Sequence, residues 1–251
     1  MGMFDFLKRP SSKESSQVIA EIIKDELPEH TGDQESPSPI CPYCNTELEQ
    51  MPKGKKKCPH CSNYIRVRKP MIGEEKVLMT EEEADDVAFV AEQLKGLEYY
   101  NITQDDYVNT RKHLKEEHGE KTGPVDVLWT MVKNLNDNAI EKKDIDTIRN
   151  TLWIMSLILY REGRDFIRLK QESEKMRLVK YRKEGVEMVK ISSPGPCEAC
   201  AKNNGKVLTI DEALETMPIP NPDCTTKTRD GPSGWCRCRY VVFFDDAELD
   251  K

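Results

Sequence analysis

Apolar residues recur at helical spacing through the middle of the chain, and this stretch carries most of the predicted structure. Thr80 followed by Glu83 has capping-box spacing, after which Val87, Val90, Ala91, Leu94 and Leu97 fall on one face. A shorter predicted helix carries Tyr107 and Leu114. Gly123-Pro124 opens a third, with proline in the first turn and Val125, Leu128, Val132 and Leu135 inward. The longest helix is predicted over 144–183, where Ile145, Ile148, Leu152, Met155, Leu159, Phe166 and Leu169 keep the stripe. Around Trp153 it is apolar on nearly every side, which marks the centre of a bundle. Beyond Phe166 it turns charged (Lys170, Glu172, Glu174, Lys175, Arg177), so it is expected to project as a solvated connector. VEMVKI then reads as a strand.

Upstream of the helices the pattern is weaker. Val18, Ile19, Ile22, Ile23 and Leu27 have helical spacing and Pro28 stops them, but EHTGDQESPSP has the composition of a linker. The expected fold class is mainly α: a helical bundle with a long helix, flanked by an N-terminal zinc ribbon and a C-terminal cysteine-rich β-hairpin module. The expected divisions are a tail over 1–39, a ribbon over 40–70, a helical domain over 71–190 and the C-terminal module over 191–251.

Composition narrows the function classes. The 251 residues carry 33% charged side chains and a net charge of −7, so the molecule as a whole repels nucleic acid and any such binding needs a local basic patch. The most apolar run, LWIMSLILY, is about half of what a membrane span requires, and no signal peptide or myristoylation signal is legible at the N-terminus, where Phe6 stands at the Ser/Thr position. A cytoplasmic protein with no membrane partner is expected. Nine cysteines in that setting point to metal rather than disulfides.

The first cluster is CPYCNTELEQMPKGKKKCPHC. Cys41, Cys44, Cys58 and Cys61 form two CxxC pairs, a spacing suited to a tetrahedral four-thiolate zinc site joined by a hairpin. CPYC also looks like a glutaredoxin active site, but that chemistry needs a thioredoxin-type βαβ setting, and no long helix follows Cys44. So short a segment has little core of its own, and structural zinc can supply about 10 kcal/mol or more of apparent folding free energy. His60 is read as a surface residue. CPYC, KKKCPHC and YIRVR together resemble the zinc ribbons near the start of uncharacterised bacterial and phage-associated proteins, a likeness that implies the ribbon and no particular activity. Asn45 and Ser62 depart from it, standing where such ribbons often have glycine.

The ribbon is also the basic patch. Lys53, Lys55, Lys56, Lys57, Arg66, Arg68 and Lys69, with Tyr43 and Tyr64 nearby, are suited to tracking a phosphate backbone and stacking a base. The alternatives are a protein partner or a merely solvated hairpin tip.

The second cluster holds Cys197, Cys200, Cys224, Cys236 and Cys238, five candidate thiols for four ligand positions. Cys197, Cys200, Cys224 and either member of the CRC pair are the expected ligands, since residues i and i+2 of a strand share a face. KVLTI reads as a strand, Thr209 and Glu212 repeat the capping-box spacing, and RYVVFF reads as a terminal strand. Cys197, Cys200, Gly205, Lys206, Cys236, Arg237 and Cys238 resemble the C-terminal cysteine motif of phage Mu-type head-morphogenesis proteins. The family's His-Pro before CRC is replaced here by Asn221-Pro222-Asp223-Cys224 and an insertion ending in Gly234-Trp235. That resemblance implies a phage or prophage origin.

No catalytic constellation stands out. The four histidines, His30, His60, His113 and His118, all precede residue 119, HExxH spacing is absent, and both clusters offer enough thiolates to close a metal's shell. Arg164 and Asp165 read as a surface ion pair. The sequence therefore predicts a non-enzymatic protein with two zinc sites that recognises nucleic acid or a protein through the ribbon, with no small-molecule substrate evident. A head-morphogenesis component is the alternative; a thiol redox protein or zinc nuclease has less support.

Overall fold

The computed structural model describes residues 39–70, 75–119, 122–227 and 233–244. The helix expected around 18–27 lies outside them. Among the described residues there are seven α-helices, one 3₁₀ turn and two small antiparallel sheets. No helix among them is long and apolar enough to cross a membrane. Two compact units are distinguished. The described part of the smaller one is held by a bridge between Ile40 and Glu47 and by the Leu48 N–H donating to the Pro39 carbonyl at 2.8 Å.

In the larger unit, β1 (Lys56–Lys57), β2 (Tyr64–Arg68) and β3 (Val77–Met79) form the first sheet in that order. Then follow α1 (Glu81–Leu97), a 3₁₀ turn (Glu98–Tyr100), α2 (Gln104–His118), α3 (Pro124–Lys142), α4 (Ile145–Arg161) and α5 (Ile167–Lys183). The starts predicted at Thr80 and at Gly123-Pro124 hold, and α2 opens on Thr103, a start that was not predicted. Thr80 and Thr103 each accept a backbone N–H from the residue three on, and Glu83 and Asp106 reach back to the cap N–H at 2.8 and 2.7 Å. Gly123 and Pro124 open α3 as expected.

The bundle core is built from Phe89, Val90, Leu94, Leu97, Tyr107, Val127, Leu128, Met131, Val132, Ile154, Met155 and Ile158. On α1 the buried stripe is offset from the expected one: Ala84 and Phe89 face inward and Ala91 outward. Trp153 is 39% exposed and does not mark the bundle centre, which falls at its neighbours Ile154, Met155 and Ile158.

The single long helix is in fact two. After α4 the chain closes with Gly163 at φ +68, the Arg164 N–H on the Leu159 carbonyl at 2.9 Å and the Gly163 N–H on the Tyr160 carbonyl at 3.1 Å. This is a Schellman stop, in which glycine supplies the left-handed residue. Asp165 then accepts the Ile167 N–H at 3.1 Å and the chain restarts. α5 returns antiparallel along α4: Lys180 meets Asp146 at 2.7 Å, and the Ser173 hydroxyl donates to the Arg149 carbonyl at 2.9 Å. The expected connector is therefore a packed helix that buries Lys170, Ser173, Glu174 and Leu178.

The second sheet comprises β4 (Met188–Ser192), β5 (Val207–Thr209) and β6 (Arg239–Val242), with β4 central, so the expected hairpin module is three-stranded. Two short helices, α6 (Glu198–Ala201) and α7 (Ile210–Thr216), lie within this part of the chain, and Thr209 caps α7 as its spacing predicts. Its core joins Val189, Ile191, Leu208, Ile210, Ala213, Ile219 and Tyr240 to Leu178 of α5.

Backbone N–H and threonine hydroxyl groups hold three cap carboxyls below the usual carboxylate range: Thr103 at Asp106 and Thr209 at Glu212 act mainly through the N–H, Thr147 at Asp144 mainly through its hydroxyl. A carboxyl depressed on folding adds stability that is fully present above its unfolded value, about 4, and is lost as pH falls through the folded value. Helical circular dichroism melts should thus show the cap contribution intact down to about pH 5 and declining below about pH 4. Asp106→Asn should flatten that decline; an unchanged acid limb would remove the caps as its cause.

Candidate metal centres

Each half of the first cluster is a tight turn of the same form. The Asn45 N–H donates to the Cys41 carbonyl at 2.9 Å, and the Ser62 N–H donates to the Cys58 carbonyl at 3.0 Å. Both closing residues are left-handed, Asn45 at φ +55 and Ser62 at φ +64, so the positions where glycine was expected do require glycine-like geometry. The turns face each other across the ribbon. Cys41 and Cys61 sulfurs lie 3.8 Å apart and Cys44 and Cys58 sulfurs 3.9 Å, and all four are within 4.8 Å of one another. A tetrahedron of thiolates bound at about 2.3 Å has an edge of about 3.8 Å. The four sulfurs can therefore hold one metal ion, as their spacing in sequence predicted. His60 is exposed and outside the set.

The thiols of the first cluster differ in acidity. The Thr46 hydroxyl and then its N–H hold Cys44 down to about 6, and the Cys61 N–H lowers Cys58, whereas burial pushes Cys41 up to about 11.

The second cluster is drawn from three segments. Cys197 caps α6 and Cys200 lies within it; Cys224 follows a proline-rich turn; Cys236 and Cys238 precede β6. Asn221 fastens these pieces: its side-chain amide donates to the Ala199 carbonyl at 2.9 Å, its side-chain oxygen accepts the Asp223 N–H at 2.9 Å, and its own N–H points at the Cys236 sulfur at 3.4 Å. The five sulfurs form two triangles sharing Cys200, one with Cys197 and Cys224, the other with Cys236 and Cys238. The Cys197–Cys224 and Cys200–Cys236 separations are both 3.8 Å, again a tetrahedral edge. The Ser193 hydroxyl lies 3.0 Å from Cys238. The Thr225 N–H holds Cys197 down to about 5, while burial raises Cys200 and Cys224. This group too can hold a metal ion.

Beside the second cluster, Lys170 is 4% exposed, its Nζ stands 3.5 Å from the Trp235 ring centroid, and burial pushes its ammonium down to about 8. Trp235 itself is buried against Trp153, Tyr160 and Phe166. Neither Lys170 nor Ser193 was singled out from the sequence as part of a site. Asn221 had a legible signal, the Asn-Pro-Asp turn, and Lys170 had none.

The basic residues of the ribbon are divided. Lys55 and Arg66 both reach Glu81 at the start of α1, at 2.6 and 3.5 Å, and the Tyr43 hydroxyl accepts the Glu81 N–H at 2.9 Å. Those three moor the ribbon to α1. Lys53, Lys56, Lys57, Arg68 and Lys69 are exposed and form no ion pair among the described residues. Strand alternation and the Lys57–Tyr64 register put Lys57, Tyr64, Arg66 and Arg68 on one face. His113 and His118 are exposed beside Glu116 and Glu117. No protein-family model matches the chain, and no curated protein or solved structure is significantly similar to it.

The left-handed Ser62 gives a direct test of the turn geometry. Ser62→Gly should stabilise the ribbon by about 0.5–1 kcal/mol, the left-handed cost of roughly 1–2 kcal/mol less the added freedom of an unfolded glycine. Ser62→Val should weaken it; thermal melts of the metal-loaded protein in which the order is reversed would contradict the geometry.

Proposed function

We propose that both clusters are structural zinc sites and that the protein is a non-enzymatic recognition module whose ribbon presents a basic face to nucleic acid. The observation that carries the metal reading is the convergence of four sulfurs from two matching turns at tetrahedral spacing. All-thiolate tetrahedral coordination is the habit of structural zinc, and closed shells leave no position for a reacting water. At the second centre the proposed ligands are Cys197, Cys200, Cys224 and Cys236. Cys236 stands at edge distance from Cys200 and receives a backbone N–H, whereas Cys238 is engaged by Ser193.

The recognition reading rests on the face that carries Lys57, Tyr64 and Arg68, with Lys53, Lys56 and Lys69 exposed close by in the sequence. Tyr64 is 46% exposed and Lys55 lies 4.4 Å over its ring, so the aromatic face is already part of a cationic setting. With a net charge of −7 over the whole chain working against it, a polyanion is held only where these cations gather. A second reading, a phage-type head-assembly component, rests on the likeness of Cys197, Cys200, Cys236, Arg237 and Cys238 to that family's C-terminal motif in the sequence. Neighbouring portal or terminase genes would support it.

Elemental mass spectrometry on protein purified without added metal should give about two zinc ions per chain. Cys58→Ser should lose one with the ribbon fold, Cys236→Ser should lose the other, and Cys238→Ala should keep both. Little zinc, or loss on Cys238→Ala with retention on Cys236→Ser, would overturn the assignment.

Fluorescence anisotropy with oligonucleotides should show binding that weakens with salt, with a log–log slope of about −3 for four phosphate contacts on a single strand. Replacing Lys56 and Lys57 by Glu should abolish it. Salt-independent binding, or none, would leave a protein as the partner of this face.

A further inference from the structure

Lys170 and the second cluster each lack what the other supplies. The Lys170 ammonium is 4% exposed, and its close partner is the ring of Trp235, at 3.5 Å. Glu174, one turn further along α5, is the foremost charge acting on Lys170, but it stands beyond ion-pair distance and is itself buried and bonded to Arg177 at 3.0 Å. No carboxylate lies within ion-pair distance of Lys170 among the described residues. A buried cation needs an anion, and an aromatic face compensates only in part. The other groups that act on it electrostatically are Cys236 and Cys224, with Arg177 opposing them.

A divalent metal bound by four thiolates carries net charge of about −2, and here three of the four proposed ligands, Cys200, Cys224 and Cys236, are buried. Such a centre needs positive charge beside it, either from N–H groups or from a cation. Two backbone N–H groups point at its sulfurs, Asn221 at Cys236 and Thr225 at Cys197. Trp235 precedes the buried Cys236 directly, so the ring that carries the ammonium belongs to the residue next to a proposed ligand.

We propose that Lys170 is the counter-cation of the C-terminal metal–thiolate centre, a positioning residue that strengthens metal binding and ties α5 to the loaded centre. The proposal rests on the zinc reading of that centre. It assigns a role to a helix residue 27 positions before the first cysteine of the cluster, on an element otherwise explained by packing.

The test uses full-length wild type, Lys170→Met and Lys170→Arg, with affinity measured at both centres by competition with a chelating dye. Lys170→Met should weaken the C-terminal centre by about 10–100-fold, as loss of supporting partners around a metal does, and leave the ribbon's affinity unchanged as an internal control. Lys170→Arg should recover most of the loss. With cobalt in place of zinc, the thiolate-to-metal charge-transfer bands should shift in Lys170→Met and not in Lys170→Arg, which a purely structural defect confined to α5 would not produce. If Lys170→Met does not fold, the arginine variant decides: wild-type affinity and bands support the proposal, and a loss of affinity with an intact fold overturns it. Wild-type affinity and spectrum in Lys170→Met overturns the proposal alone. Absence of a C-terminal metal in the wild type overturns the zinc reading and the proposal together.

Discussion

Two thiolates 3.8 Å apart in a protein interior repel by about 4 kcal/mol at an effective dielectric near 20; the first cluster brings four sulfurs near that spacing, and the second brings five into two triangles that share Cys200. Only protons or a cation can relieve this. With protons, the buried Cys41 and Cys200 stay as weakly bonding thiols, and the ribbon around Cys41 has little else to hold it. With a cation, every sulfur gains a strong bond and the turns lock. The rest of the structure follows from that choice, because the ribbon has Ile65 as its main fully buried apolar side chain, and the C-terminal core places four cysteines among its buried members.

The two centres meet the helices differently. The ribbon is moored through polar contacts at the start of α1, where Glu81 takes Lys55 and Arg66 and its N–H takes Tyr43. Such exposed ion pairs are worth little individually. The C-terminal centre shares a hydrophobic core with α5 through Leu178, and Trp235 inserts among Trp153, Tyr160 and Phe166. Burial of a tryptophan and a helix face is worth several kcal/mol at about 25 cal/mol per Å². Loss of the second centre therefore reaches the α4–α5 pair, while loss of the first need not.

Much of the local structure was legible because it is written in short-range chemistry. Thr80 and Thr209 sit three residues before an acid, and the two CPxC turns carry their ligands at fixed offsets. What was not legible depends on what comes back to pack. The apolar stripe runs on from α4 into α5, so periodicity alone gave one helix; Gly163 was the signal for the break, a left-handed stop that hydrophobic spacing does not register. The charges of α5 suggested solvent, yet Lys170 and Glu174 are buried because Trp235 and Arg177 come to them. Trp153 looked central by composition, and its 39% exposure reflects a position where α4 turns from the bundle toward Trp235.

The ribbon's charge likewise changes meaning once its neighbours are known. Seven basic residues in the sequence read as one patch, but Glu81 takes two of them, which divides the cations into a mooring set and a free set. The mooring holds Lys55 over Tyr64, leaving that ring 46% exposed beside Lys57 and Arg68. Glu81 is in turn held below the usual carboxylate range, chiefly by its hydrogen bond to Lys55, so the mooring stays charged through neutral and mildly acidic pH. An acid in the first turn of α1 thus acts at once on the helix N-terminus and on the orientation of the face through which the ribbon would meet a polyanion.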